Sequence, residues 1–231
     1  MKNKILNLVV SISLIISIII GVRLVNKDKE KRYVYLAMGD FLTSVESSFS
    51  DKYHESLKID EYNKFLSRKS MTSSDLLRLI SVDSSIVYNG VNKSISSVLE
   101  LSKVITISVG YNDVMNNVRY NSITNTFIYD EEIINRILSS LQSNIFDIIE
   151  NIYAINDKAN VYVLSTYFPY PRVDNSDIEL FENINETINL ACMDAHAKYI
   201  DISGVSKVEY IDDGEFIPNE DGMEYIASLI M

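Results

Sequence analysis

The side chains that could do chemistry in this chain fall into three short stretches. Gly39-Asp40-Phe41-Leu42-Thr43 puts a carboxylate and a hydroxyl at a glycine turn. Gly110-Tyr111-Asn112-Asp113 puts an amide and a carboxylate at a second. Ile217-Pro218-Asn219-Glu220-Asp221 follows the acids Asp212, Asp213 and Glu215. A hydroxyl without a base is a poor nucleophile, so Thr43 and Ser44 need a proton acceptor. The chain has two histidines, His54 and His196, and one cysteine, Cys192. His54 stands in the polar helical stretch Ser50–Leu57 and reads as solvated. His196 falls on the helix before a strand, remote from the strand's carboxyl end. Cys192 and His196 are four apart on one helix, where a buried cysteine reads as packing. A single cysteine also excludes a disulfide framework. Asp40, Asp212, Asp213 and Glu215 could gather round a divalent cation through oxygen ligands. The pattern favours Asp40 bracing its own turn and the later acids forming an exposed loop. No metal and no cofactor is expected.

These stretches must be held by regular elements. Tyr33–Met38, Lys103–Val109, Val161–Thr166 and Tyr199–Ile202 are short apolar, β-rich runs, each stopping at polar or glycine residues. Apolar runs without alternation predict strands buried on both faces, hence a parallel sheet. Helical patterns separate them at 45–58, Ser73–Ile80, Glu131–Ile155, Asp177–Ala197 and Asn219–Ile230. Ser73–Ile80 has Ser/Thr caps and Asp75 in its first turn. Glu131–Ile155 carries an apolar stripe at Ile133, Ile134, Ile137, Leu138 and Leu141. Strands alternating with helices predict an α/β sheet covered on both faces, with any ligand site beyond the strands' carboxyl ends. The loops at issue are 39–44, 110–116, 167–174 and 203–218.

The 231 residues suffice for one domain with a full core. Residues 1–32 hold seven basic and two acidic residues, a net of +5, which leaves −16 of the chain's −11 on residues 33–231. So acidic a body repels phosphate backbones, and no nucleic-acid partner is expected. Ile5–Val22 is an unbroken uncharged run that would rise about 27 Å as a helix, against a hydrocarbon core of about 30 Å. No small-x-small cleavage site follows it and no nearby cysteine offers a lipidation site. The expectation is an uncleaved membrane anchor with a basic linker over 1–32 and a folded domain over 33–231. Basic residues flank both ends of the run, so charge alone leaves its orientation open.

In this order and spacing the three stretches resemble the SGNH (GDSL-type) hydrolase family, and in particular its membrane-anchored or lipoprotein-like bacterial members. The resemblance covers nearly all of residues 33–231. Val161–Pro171 also looks like the family's strand before its Pro-containing loop. The resemblance implies an α/β three-layer sandwich with a mostly parallel, flavodoxin-like sheet, here preceded by one N-terminal transmembrane helix. It also implies a serine nucleophile, a histidine base oriented by an aspartate, and an oxyanion hole from a glycine N–H and an asparagine. Carried over position by position, the serine site is Phe41. Ser70, opening Ser70–Leu77, stands at the oxyanion glycine. Asn112 matches the oxyanion asparagine. Pro218-Asn219 match the last motif, but Ile217 stands at the histidine. Asp213 is offset by one from the aspartate position, held by Gly214. Asp40 is retained. Phe and Ile cannot transfer protons, so no catalytic residue is expected. The resemblance points to a degenerate member at the cell membrane, its domain outside the cytoplasm, binding a cell-envelope glycan or a protein partner. The expected cleft is lined by Phe41, Thr43, Tyr111, Asn112, Tyr167, Phe168 and Tyr170, though these aromatics equally suit filling the space that catalysis vacated. The alternative is an acyl- or acetylesterase with displaced catalytic groups.

Overall fold

The computed structural model describes residues 33–231 apart from 60, 89, 122, 125, 170–177, 213 and 214. In chain order, β1 (Val34–Gly39) runs into the single turn α1 (Phe41–Ser44) and then α2 (Phe49–Ser56). β2 (Glu61–Ser67) leads to α3 (Ser73–Ser81). A hairpin, β3 (Ser85–Tyr88) and β4 (Val91–Ser94), precedes α4 (Ile95–Leu99) and β5 (Ser102–Ser108). α5 (Tyr111–Met115) and a second hairpin, β6 (Arg119–Asn121) and β7 (Thr126–Ile128), precede α6 (Glu131–Ile155). β8 (Asn160–Leu164), α7 (Ile178–Asp194), β9 (Lys198–Ile200), a 3-10 turn (Ser203–Val205) and α8 (Glu220–Ile230) follow.

The central sheet has five strands in the order β2-β1-β5-β8-β9. Every neighbouring pair is parallel. This is the doubly wound flavodoxin-like order, and it reverses direction between β1 and β5. One apolar layer packs α3, α6 and α7 on one face, around Leu36, Met38, Ile105, Ile107 and Val163. The other packs α2 and α8 on the opposite face, around Tyr35, Ala37, Val104 and Leu164. Successive strand residues thus feed opposite layers, which is why these strands are apolar throughout.

Several elements follow their predicted local signals. Thr72 caps α3, its hydroxyl accepting from the Asp75 N–H while the Asp75 carboxylate accepts back from Thr72. Asp130 caps α6, accepting from the N–H groups of Glu132 and Ile133. The buried stripe of α6 is Ile134, Leu141, Ile145, Ile148, Ile149 and Ile152. Of the predicted stripe, Ile133 is turned outward, 38% exposed, while Ile137 and Leu138 pack against the same core. β2 is absent from the predicted strands. Its sequence Glu-Tyr-Asn-Lys-Phe-Leu-Ser buries only Leu66, as an edge strand does. Among the described residues no helix is long and apolar enough to cross a membrane. The expected anchor, Ile5–Val22, lies outside the described residues, as do Tyr170 and Asp213.

Candidate functional site

The sheet's register sets Gly39 opposite Ser67 on one side and Ser108 on the other, at the carboxyl ends of β2, β1 and β5. Gly39 has φ +135°, and a Cβ there would lie 2.0 Å from the Ser108 carbonyl oxygen. Only glycine lets the two strands close at this point. The Asp40 N–H then donates to that same carbonyl at 2.8 Å.

Asp40 caps α1. Its Oδ1 accepts from the Leu42 N–H at 3.1 Å and from the Ser108 hydroxyl at 3.0 Å. The Thr43 hydroxyl lies 2.8 Å from the Ser108 oxygen, so with Ser108 giving its proton to Asp40, Thr43 gives its own to Ser108. Asp40, Thr43 and Ser108 are all buried. Burial pushes the Asp40 carboxyl up to about 7, against the bonds from Leu42 and Ser108, with the Asp113 charge adding to the rise. Asp40 therefore braces its turn.

Phe41, expected at the family's serine position, has a ring that is 3% exposed. The Tyr111 ring meets it edge-on with centroids 5.0 Å apart, and the Phe216 ring does so at 5.6 Å. The Tyr167 hydroxyl donates to the Phe216 carbonyl at 2.5 Å and fixes that cover. Ile217 packs half-buried against the same apolar layer. Phe41, Thr43, Tyr167 and Phe168 are thus buried, where an open cleft was expected. Of that set, Tyr111 and Asn112 are half-buried. The aromatics fill the switch point because their ring edges and faces pair inside it.

Asn112 does not point a free amide into a site. Its Nδ2 donates to the carbonyls of Lys69 and Met71, each at 2.9 Å. Both amide hydrogens are spent tying down the turn that carries exposed Ser70. Asp113 accepts from the Ser73 N–H at 2.9 Å and from its hydroxyl at 2.5 Å, joining α5 to the start of α3. Burial raises the Asp113 carboxyl, countered by the bonds from Ser73. Asn219 caps α8 by accepting from the Gly222 N–H at 3.0 Å, and its Nδ2 donates to Asp212 at 3.1 Å. Asp212 and Glu215 are exposed and apart from buried Asp40. Among the described residues no three His, Cys, Asp or Glu side chains are placed to hold a metal ion.

Both histidines lie at the other edge of the sheet. His54 stacks on Tyr62 at 4.8 Å and on Tyr35 at 6.5 Å, beside the amino ends of β1 and β2. Its Nε2 lies 3.0 Å from the Ile59 carbonyl. His196, with φ 57°, turns the chain into the amino end of β9. A strand rises about 3.3 Å per residue, so the length of β1 sets His54 roughly 15–20 Å from Phe41. Cys192 is buried, and burial pushes its thiol up to about 12, so it is inert packing. The Ser44 hydroxyl, one helical turn after Phe41, is buried with no hydrogen-bond partner.

Sequence reasoning missed Phe216, the cover on Phe41, and Ser108, the partner of Asp40. Neither belongs to a motif, and no spacing links them to Phe41 or Asp40. It also missed a half-enclosed cavity of about 380 Å³ at the carboxyl ends of β8 and β9. Tyr167 and Phe168 line that cavity, with Phe181, Glu182, Tyr199 and Asp201 among its other walls.

No family model and no curated protein matches the sequence. Solved structures do. A lipase from a goat rumen metagenome is 21% identical, over 86% of this chain and 95% of that one, with a TM-score of 0.66. An acetylxylan esterase from Geobacillus stearothermophilus is 10% identical, over 86% and 92%, with a TM-score of 0.59. A member of the lipolytic G-D-S-L family from Veillonella parvula is 15% identical, over 85% and 95%, with a TM-score of 0.55. The described domain has the fold of the GDSL-type, or SGNH, hydrolases.

Proposed function

We propose that this SGNH-fold chain is a membrane-anchored protein that works by binding a cell-envelope glycan or a partner protein, and that it does not hydrolyse esters. The observation that carries the reading is Phe41, a buried ring held between Tyr111 and Phe216 where the relatives' motif has serine. Acyl transfer needs a nucleophile, a base within hydrogen-bond reach and free oxyanion donors. Phe41 supplies no nucleophile, and the histidines stand beside the amino ends of the strands. The Asn112 hydrogens are engaged by the carbonyls of Lys69 and Met71. In this reading Ile5–Val22 is the anchor and the acidic domain faces outside.

One observation favours a second reading, an esterase with displaced residues. The unpartnered Ser44 hydroxyl is a nucleophile candidate close to the old site. Full-length chain in detergent, assayed with short-chain acyl esters and acetylated xylan, separates the two. The expected result is no turnover above an albumin-like background. Turnover that Ser44→Ala abolishes would establish the second reading instead.

A further inference from the structure

The chain enters the described domain at Tyr33, at the amino end of β1. Val34, the next residue, is in register with Glu61, the first residue of β2. The Glu61 carboxylate accepts from the hydroxyl of Tyr88, the last residue of β3. The β3–β4 hairpin therefore stands at the amino ends of β1 and β2, beside the entry. It is held there firmly. Tyr88 is buried in the core and Ile86 packs against it. Asp83, at φ 47°, accepts from the Ser96 N–H at 2.7 Å and from the Ser96 hydroxyl at 3.0 Å. The Ile95 N–H donates to the Ser84 carbonyl at 3.2 Å.

This mount holds three valines in the open. Val82, which closes α3, is 64% exposed; Val87 and Val91, which flank the hairpin turn, are 68% and 59% exposed. The fold gains little from valine at such exposed ends, where polar residues are the rule. Behind them Tyr33 is half-exposed, with the Lys103 ammonium 5.1 Å from its ring centre. The Lys93 ammonium lies 4.4 Å from the centre of the Tyr88 ring. Apolar tips backed by tyrosine and lysine suit a lipid surface. The tips enter the acyl boundary, while the phenol and the ammonium groups stay at headgroup level.

The length of chain ahead of Tyr33 favours lipid as the occupant. Ten residues, 23–32, separate the uncharged run from the domain, and they carry five basic residues against two acidic ones. Ten residues span at most about 33–36 Å in any conformation. A folded body of the size of 33–231 is about 40 Å across. A tether shorter than its domain brings the face around Tyr33 to the bilayer and keeps the opposite end away. Its basic residues draw that face toward anionic headgroups. We infer that the β3–β4 hairpin is a second membrane contact, with Val87 and Val91 dipping into the edge of the acyl layer, Val82 beside them, and Lys93 and Lys103 facing lipid phosphates. This rests on the reading of Ile5–Val22 as an anchor and adds an orientation to it, in which the carboxyl ends of the strands face away from the bilayer.

The test puts a nitroxide spin label on Val87→Cys, Val91→Cys or Ile123→Cys in the full-length chain, in vesicles of phosphatidylcholine with one-quarter phosphatidylglycerol. Cys192, buried and with its thiol pushed up to about 12, stays unlabelled. Ile123 is 93% exposed between β6 and β7, at the opposite end of the strands. Flotation shows whether the chain is in the vesicles. Power saturation then compares each label's access to oxygen, which concentrates in lipid, with its access to a nickel chelate, which stays in water. The oxygen-to-nickel ratio at 87 and 91 should exceed that at 123 several-fold. Val87→Asp should return the label at 91 to the ratio found at 123, with the melting temperature unchanged. Equal ratios at all three sites in a chain that floats would overturn the inference and leave the anchor standing. Low access to both reagents at 87 and 91 would also overturn it, since the protein's own chain would then cover the hairpin. A chain that fails to float would remove the anchor reading, and this inference with it.

Discussion

Two stretches of the same sheet edge have opposite characters. Beyond β1 and β5 the crevice is filled by Phe41, Tyr111 and Phe216, over a buried Asp40–Ser108–Thr43 network. Beyond β8 and β9 the described residues leave a cavity, with Glu182 and Asp201 on its walls. Topology allows a crevice at either place. An aspartate follows both β1 and β9, and its surroundings differ. Asp40 after β1 is buried, and the Phe41 ring next to it gains by leaving water. After β9 comes Asp201, which takes a backbone N–H and stays exposed. Tyr167 belongs to both regions: its hydroxyl holds the cover of one and its side chain lines the other.

The sharpest way to break this contrast is to empty the filled side. Phe41→Ala should cost about 3–5 kcal/mol, the usual range for truncating a buried phenylalanine. Urea unfolding with a fixed slope measures it. A loss under 1 kcal/mol would mean that the switch point is loosely packed, and the two regions would then differ little.

The buried acid beneath Phe41 gives the next effect. Burial holds the Asp40 carboxyl at about 7 in the fold, well above its ordinary value. Between roughly pH 4 and pH 7 the unfolded chain releases a proton that the folded one keeps. The Asp40 contribution to stability is therefore full below that window, falls as pH rises through it, and is flat above. The difference in unfolding free energy between wild type and Asp40→Asn should change by on the order of 4 kcal/mol across it. Parallel curves for wild type and Asp40→Asn would deny the dry character of the switch point.

The smallest effect is at the turn carrying Ser70. Asn112→Ala removes both bonds to the Lys69 and Met71 carbonyls and should cost about 1–2 kcal/mol at this partly exposed site. Faster hydrogen exchange at residues 68–72, with the rest of the sheet unchanged, checks that the loss is local. Unchanged exchange there would free Asn112 for the oxyanion role that its motif implies.

Much of the fold was legible because buried parallel strands and capped helices leave marks within a few residues. Tyr33–Met38, Lys103–Val109 and Val161–Thr166 are apolar without alternation, and β1, β5 and β8 occupy nearly the same residues. Thr72 and Asp75 marked the start of α3. β2 left no such mark, since an edge strand with one buried residue has an ordinary polar sequence. The two short hairpins were illegible for the same reason.

For the site, the sequence determined which side chains stand at the positions that the resemblance assigns to the serine and the histidine. The identities at 41 and 217 are covalent facts, and Phe and Ile carry no proton to transfer. Two histidines in 231 residues also left few candidates for a base. Only the tertiary structure decided what the remaining groups do. It set both histidines beside the amino ends of the strands, gave both Asn112 hydrogens to backbone carbonyls, and laid Phe216 over Phe41. It also brought Glu182 and Asp201, 19 positions apart, into the walls of one cavity. Each of these depends on which strand lies beside which and where a loop returns. Those distances are set by packing between segments far apart in the chain, which spacing within one segment does not encode.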